Sequence, residues 1–443
     1  MKRINLIISI AVSFLFIPFL QLSAQTDTDM AAAATAEVQT VAEDAEQDAY
    51  NYRRSSLYSI LVSHPQLNMD DEIVGAFMAL ETPDKYNDHD LSVKVITTKT
   101  KKKKEVQLQV DQFLKSNQVA KRMVSKWFSR NKDNGGFDDA LVLERGMYDA
   151  DAADVSMASL NVRGVSGLAD GGYELIENSF VLVNDIQYID HKANADLAAG
   201  ILLLIGTVGD AIMGGDSFSQ IAQLGAAIST MIAGFQVNIT SHLYQLDWND
   251  SVENKFYNEY WFDKPGTDSL SLANFANDST IDGKKAAYEN DRETFNLKYL
   301  GNYKAKSNKP VLRGLYNDVD VFRKVLARAI DKNIVMLQKK FDQFKVKVPL
   351  NSVTPLTAQI GMKEGVTAKS KYEVLMPVFD EATGKYKYNR KGVIVPVEGK
   401  IWDNRYMAAE EQTAGSTLQA TEFKVLTGSL NQFSEGMLIR EIK

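Results

Sequence analysis

The sequence predicts an α/β domain, a mixed sheet with helices, followed by a small all-β barrel or sandwich. Three observations carry that prediction. Residues 137–146 and 180–186 read as short strands with a mostly helical interval, 151–177, between them, which is the spacing of a parallel α/β unit. Residues 319–344 place Phe322, Val325, Leu326, Ala329, Ile330, Ile334, Leu337, Phe341 and Phe344 on one helical face. After Pro349 the pattern changes to short β-type runs separated by Gly, Pro and turn residues. The α/β domain is expected over 52–345 and the β domain over 350–443.

The chain opens with Lys2 and Arg3, then an apolar run from Ile4 to Leu20, then Gln21-Leu22-Ser23-Ala24. A basic start, an apolar middle and a small residue before the cut define a secretory signal peptide over 1–24. Residues 25–51 hold almost no large apolar side chains and read as a flexible leader. Cleavage after Ala24 would leave 48 basic against 57 acidic side chains, a net charge of -9, which argues against a polyanionic partner such as nucleic acid. The chain has no Cys, which excludes disulfides, thiolate metal sites and a Cys nucleophile together. The expected location is the periplasm, the outer membrane surface or the exterior of a bacterial cell.

Residues 57–62 form the first strand, stopped by His64-Pro65, and 70–80 a helix opened by a capping acid at Asp70. Val93 and Val95, then Val106, Leu108 and Val110, alternate with polar neighbours on either side of a basic run. That pattern suggests a hairpin whose tip carries Lys101, Lys102, Lys103 and Lys104. Such a tip is either a solvated loop blunting a sheet edge or an attractor for an anionic lipid, glycan or nucleic acid. A helix follows over 110–130, then a short strand over 137–146, a mostly helical interval over 151–177 and the strand 180–186.

Two apolar runs, 198–213 and 221–235, flank Gly214-Gly215-Asp216-Ser217, and together they give a hydrophobic helical hairpin over 195–235. Each run is too short to span a bilayer comfortably. With Leu203, Ile205, Ile228 and Ile232 it forms the expected contact surface, meeting the protein's own core, a second copy, an envelope protein or, peripherally, lipid. Residues 236–247 alternate as a strand, and 244–262 is crowded with Tyr and Trp, either sheet core or a platform for glycans or peptides. An irregular insertion spans 263–310 around a strand at 295–300. Beyond the 319–344 helix, strands are expected at 372–379, 386–395, 423–426 and 437–442, with 380–384 as the first turn.

None of the four histidines, His64, His89, His191 and His242, has a second at metal-ligand spacing. Neither an HExxH pair, a GxSxG elbow, a phosphate loop nor a dinucleotide fingerprint occurs. The acids around His89 and over 149–154 lack the Gly and distal Glu of a calcium loop and read as solvated turns. No cofactor is implied.

The stretch 141–146, ending Glu144-Arg145-Gly146, then a helical interval and Ser179 to Ile186, resembles the core of curli-secretion-channel-like periplasmic domains. In that family a strand ending in Glu-Arg precedes a helix, and the next strand leads toward a long β-hairpin. The early strand at 57–62 and the late helix at 319–344 fall in compatible order. With Gly361-Met362-Lys363-Glu364-Gly365-Val366 before Tyr372-Glu373-Val374-Leu375, the layout also resembles a flagellar-assembly periplasmic protein. The lipid-modified Cys of the family's channels is absent here, so channel activity does not carry over and no functional residue transfers. The resemblance implies a non-enzymatic envelope assembly or scaffolding protein. A surface glycan- or peptide-binding protein is the alternative, with a glycoside hydrolase third.

Overall fold

The computed structural model describes residues 53–67, 69–142, 145, 175–190, 235–266, 268–307, 318–380, 385–408 and 418–442. The signal peptide, the leader, most of the 151–177 interval, the turn at 381–384 and the apolar pair 198–234 lie outside the described residues. So do Leu203, Ile205, Ile228 and Ile232.

Strand β1 (Ser56–Ser63) is buried on both faces, as its unbroken apolar run predicts. It ends before His64-Pro65, and α1 (Asp70–Met78) follows. Asp70 is not the cap expected of it: the position before the helix is Met69, in left-handed conformation. Asp70 is buried and reaches back to β1, accepting from Ser63 Oγ at 2.6 Å and from the His64 backbone N–H at 2.6 Å.

The next segment corrects the hairpin. Two short strands, β2 (Asn87–Asp88) and β3 (Val95–Thr97), pair in parallel with the two halves of β1. The basic run then opens helix α2 (Lys103–Ser116). Val106, Val110 and Leu114 are buried at helical spacing, whereas Leu108 is 67% exposed, so the alternation at 106, 108 and 110 is accidental. The expected helix over 110–130 is two, because Gln118 turns left-handed before α3 (Val119–Trp127). Over 137–142 the expected strand is not formed. Phe137 makes one bridge to Asp263, and 140–142 and Arg145 are helical. The parallel partner of β4 (Ser179–Asp190) is therefore β1, with Leu57 opposite Phe180 and Val62 opposite Asp185.

Strand β5 (Phe235–Leu246) pairs antiparallel with β4. The aromatic segment after it is helical, with α4 (Asp250–Lys255) running into a π turn at Phe256–Tyr260. The expected insertion contains two helices, α5 (Ser269–Asn277) and α6 (Ile281–Asn290), and its strand is the full sheet member β6 (Leu297–Ser307). The sheet order is β2-β1-β4-β5-β6, with β3 beside β1. Helix α7 (Asp318–Lys340) packs across one face with α1. Leu326, Ile330, Ile334 and Leu337 meet Leu57, Leu61, Phe180, Leu182, Ile239 and Leu243 there. Helices α2 and α3 cover the other face through Val106, Val110, Leu114 and Met123 on Tyr58, Ile60, Val181 and Val183. The sheet is thus a mixed one between two helical layers.

Six antiparallel strands then close a barrel. They are β7 (Val348–Val353), β8 (Leu356–Ala358), β9 (Lys371–Asp380), β10 (Lys385–Pro396), β11 (Thr421–Thr427) and β12 (Leu438–Ile442), in the order β10-β11-β8-β7-β12-β9. Four were legible as alternating runs, but β7 and β8 are too short and too close to Pro355 to show a period. Closure leaves the barrel without a free edge. Its interior is largely apolar, centred on Leu350, Val374, Ile394, Phe423 and Tyr372. α7 also braces the barrel: Arg328 donates to the Tyr406 carbonyl at 2.9 and 3.1 Å, and Lys339 lies 3.5 Å from Glu441.

Candidate functional site

The lysine run lies on the surface at the start of α2, away from any cleft. Lys101 to Lys104 are exposed, and Lys102 is held 2.9 Å from Glu105, whose carboxyl also accepts from Thr100 Oγ1 at 2.6 Å. Lysines at a helix N-terminus oppose its dipole, and Glu105 offsets part of that charge. The aromatics of 244–262 do not form a solvent platform. Trp248, Phe256, Tyr260 and Phe262 are buried, and Phe256 packs on Phe128 with ring centroids 4.7 Å apart. Among the described residues no group of three or more His, Asp or Glu side chains is placed to hold a metal ion.

A cleft of about 230 Å³ opens where α7, the 79–90 segment and the barrel meet. Phe77, Leu80, Ala327 and Ile330 give its lining an apolar part, and Tyr406 lines it from the barrel side. Asp331 projects from α7 into it. Burial pushes this carboxyl up to about 7, opposed by Lys363 and reinforced by Glu364 and Asp84. Its surroundings act on it through burial and charge, and no hydrogen bond among the described residues supports it.

The barrel turn that faces Asp331 is rigidly set. Glu364 accepts from Gly361 N–H and from Asn404 Nδ2, each at 2.8 Å, while Asn404 Oδ1 accepts from Lys363 N–H at 2.9 Å. Gly365 takes a left-handed φ of 80°, and a Cβ there would collide with Val335 of α7. The turn also reaches the α/β layer, with Lys363 Nζ 3.2 Å from Asp84. Burial pulls the Lys363 ammonium down, but Asp84 and Asp331 more than compensate and hold it above its usual value.

Beneath the cleft, the sheet carries polar groups between its layers. Asn333 of α7 donates to Ser241 Oγ at 2.7 Å, and Ser241 donates to Asn184 Oδ1 at 2.6 Å. On the opposite face His64 Nε2 and Asp185 Oδ1 are 2.7 Å apart, both buried. His64 Nδ1, Asn184 Nδ2 and Asn333 Oδ1 have no hydrogen-bond partner among the described residues.

A second cavity, about 240 Å³, lies between α2, α3 and β6, with Tyr244 and Tyr299 on its wall. Tyr244 donates to Asp111 at 2.6 Å. Lys121 beside it is lowered to about 8, chiefly by burial. Its ammonium caps α6, donating to the carbonyls of Tyr288, Glu289 and Asp291, and so serves the fold rather than the cavity.

Asp331, Asp84 and Tyr406 were not singled out from sequence, and Lys363 stood there only within the Gly361–Val366 motif, not as a site residue. They lie on four separate segments, and only the tertiary fold brings them together. One signal was available, since Asn333 is a polar residue within the apolar stripe of α7.

No family model matches the chain, and no curated protein matches it either.

Proposed function

We propose that the chain is an exported, non-enzymatic assembly or scaffolding protein of a bacterial envelope, acting through protein–protein contacts and built on a curli-secretion-channel-like α/β domain. The observation that carries the reading is the cleft at the joint of the α/β layer and the barrel. It is concave, its lining is part apolar and part charged, and its walls are braced by α7 and the Asn404-pinned turn. The inward packing of the 244–262 aromatics supports a partner-binding reading over an aromatic glycan platform. The sequence adds a second contact surface in the apolar runs around Gly214-Gly215. Among the described residues no helix is long and apolar enough to cross a membrane.

The test is site-specific photo-crosslinking in native envelopes with the probe at Glu81 on the cleft rim, and separately at Glu398 on the barrel. Adducts formed from Glu81 and absent from Glu398 are expected. Leu203→Asp and Ile228→Asp should abolish the assembly while the purified chain keeps its circular dichroism. Recovery of a free monomer with no adducts from either position would reject the proposal.

One observation favours a second reading, a glycoside hydrolase. A carboxyl held near neutrality in a cleft, with Asp84 nearby, has the acidity a general acid needs. Turnover of a glycan that disappears in Asp331→Asn would establish that reading instead.

A further inference from the structure

We propose that the cleft between α7, the 79–90 segment and the barrel is a receptor for an aliphatic primary ammonium group, held on the carboxylate of Asp331. The proposal rests on the binding reading above and specifies what the cleft recognises.

Three features select that chemistry. The apolar part of the lining, Phe77, Leu80, Ala327 and Ile330, offers an alkyl stem a contact and has Asp331 as a polar group beside it. The lining holds five carboxylates, Glu81, Asp84, Asp88, Asp90 and Asp331, against two ammonium groups, Lys94 and Lys363. Both lysines are already engaged, Lys94 with Asp90 at 3.4 Å and Lys363 with Asp84 at 3.2 Å. Arg53, Lys85, Lys126 and Arg145 offset Asp84, Asp88 and Asp90 from outside the lining; the lining itself is negative, and Asp331 is a carboxylate of it without a hydrogen-bonded partner among the described residues. The volume, about 230 Å³, lies below the roughly 300–1,000 Å³ of drug-sized sites, which suits one side chain or a small amine.

Asp331 supplies the specific element. Asp331 is half-buried with no hydrogen-bond donor among the described residues, and desolvation raises its carboxyl to about 7, so it is largely protonated below that pH. Lys363 and Arg328 face it with positive charge and Asp84 and Glu364 with negative, while burial remains the larger influence. An incoming ammonium provides the missing donors and the countercharge together. Binding must then expel the Asp331 proton, whereas the amine, with its own pKa near 10, keeps its charge. The ammonium could be that of a free amine or of a lysine side chain on a partner protein, because the group presented to Asp331 is the same.

The experiment is isothermal titration of the full chain with pentylamine, with Nα-acetyl-lysine methylamide and with pentanol, in two buffers of unlike ionisation enthalpy. Near pH 6 the amines should bind with release of close to one proton per site, and near pH 8.5 with almost none. Pentanol should not bind. Binding of both amines points to a lysine side chain as the natural occupant, and binding of pentylamine alone to a free amine. Asp331→Asn, nearly isosteric, should weaken amine binding at least tenfold with its circular dichroism intact.

Absence of amine binding, equal binding of pentanol, or amine binding without proton release near pH 6 would overturn the proposal. The proton count is made on the unaltered chain and does not depend on the variant folding. Failure here would leave the Glu81 crosslinking test of envelope assembly standing, and failure of that test would leave an amine site without an assembly role.

Discussion

Between the layers of the open sheet, Asn184, Ser241 and Asn333 hydrogen-bond across the contact of β4, β5 and α7, and His64 pairs with Asp185 on the other face. The barrel interior, by contrast, is filled by Val348, Leu350, Val374, Ile394, Phe423 and Ile439, and its buried Thr421 bonds to backbone, accepting from Trp402 N–H and donating to the Ile360 carbonyl. The difference follows from how each part fixes its register. A barrel closed by six paired strands is registered by its own ladders. A helix lying on a sheet can slide or rotate on a smooth apolar surface. The amide of Asn333 ties α7 to Ile239 O at 3.2 Å and to Ser241, so one placement is preferred over its neighbours. Since Asp331 lies two residues away on the same helix, that placement also sets the cleft.

The contrast can be broken at several points. Ile394→Ala in the barrel should have the largest effect, about 2–4 kcal/mol in chemical denaturation, through the cavity it leaves. Asp185→Ala should cost about 1–3 kcal/mol, because it leaves the buried His64 Nε2 and the Gln187 amide without their partner. If both variants move a single shared transition, sheet and barrel unfold together, and two transitions would mean that the α7 braces are too weak to couple them. Asn333→Leu should cost about 1–3 kcal/mol, since Ser241 and the Ile239 carbonyl lose a donor. A neutral or stabilising result would mean that simple packing sets α7.

Asp331→Asn should show a smaller effect that depends on pH. The folded-state pKa, about 7, is raised above the unfolded value, so the native chain holds a proton that the unfolded chain has lost between about pH 4 and 7. Stability from this group is present below that window and declines as pH rises through about 7. The Asn variant should therefore match the wild type below about pH 4 and melt about 2–4 °C higher near pH 8. Equal melting temperatures at pH 8 would place Asp331 in ordinary solvent. Lys103→Ala should change stability by no more than about 0.5 kcal/mol, as expected for an exposed side chain.

The elements legible in the sequence were those whose burial imposes one clear period. β1 and β4 are apolar on both faces, α7 carries a long stripe, and β9 to β12 alternate. Reading failed where two periods coincide. Val106 and Val110 are four apart and also an even number apart, so they fit helix and strand equally, and only the exposure of Leu108 separates the two. The segment 137–142 failed for another reason, because apolar Leu141 and Val142 pack against an aromatic cluster from a helical turn. The cleft was illegible because its acidity comes from burial. Asp331 is one more acid on a charged helix until Asp84 and the Lys363 turn arrive from residues far away in the chain.

The pairing of β1 has a consequence for the order of assembly. β1 ends at Ser63, yet its neighbour β4 begins only at Ser179, and the helix that covers the face they share ends at Lys340. Loop closure over such distances precedes any reward from contact, so the sheet forms late and slowly. The barrel has a local start, with β9 and β10 joined across a few residues between Asp380 and Lys385. A chain emerging from its N-terminus therefore carries β1 with only the short β2 and β3 beside it until β4 has followed.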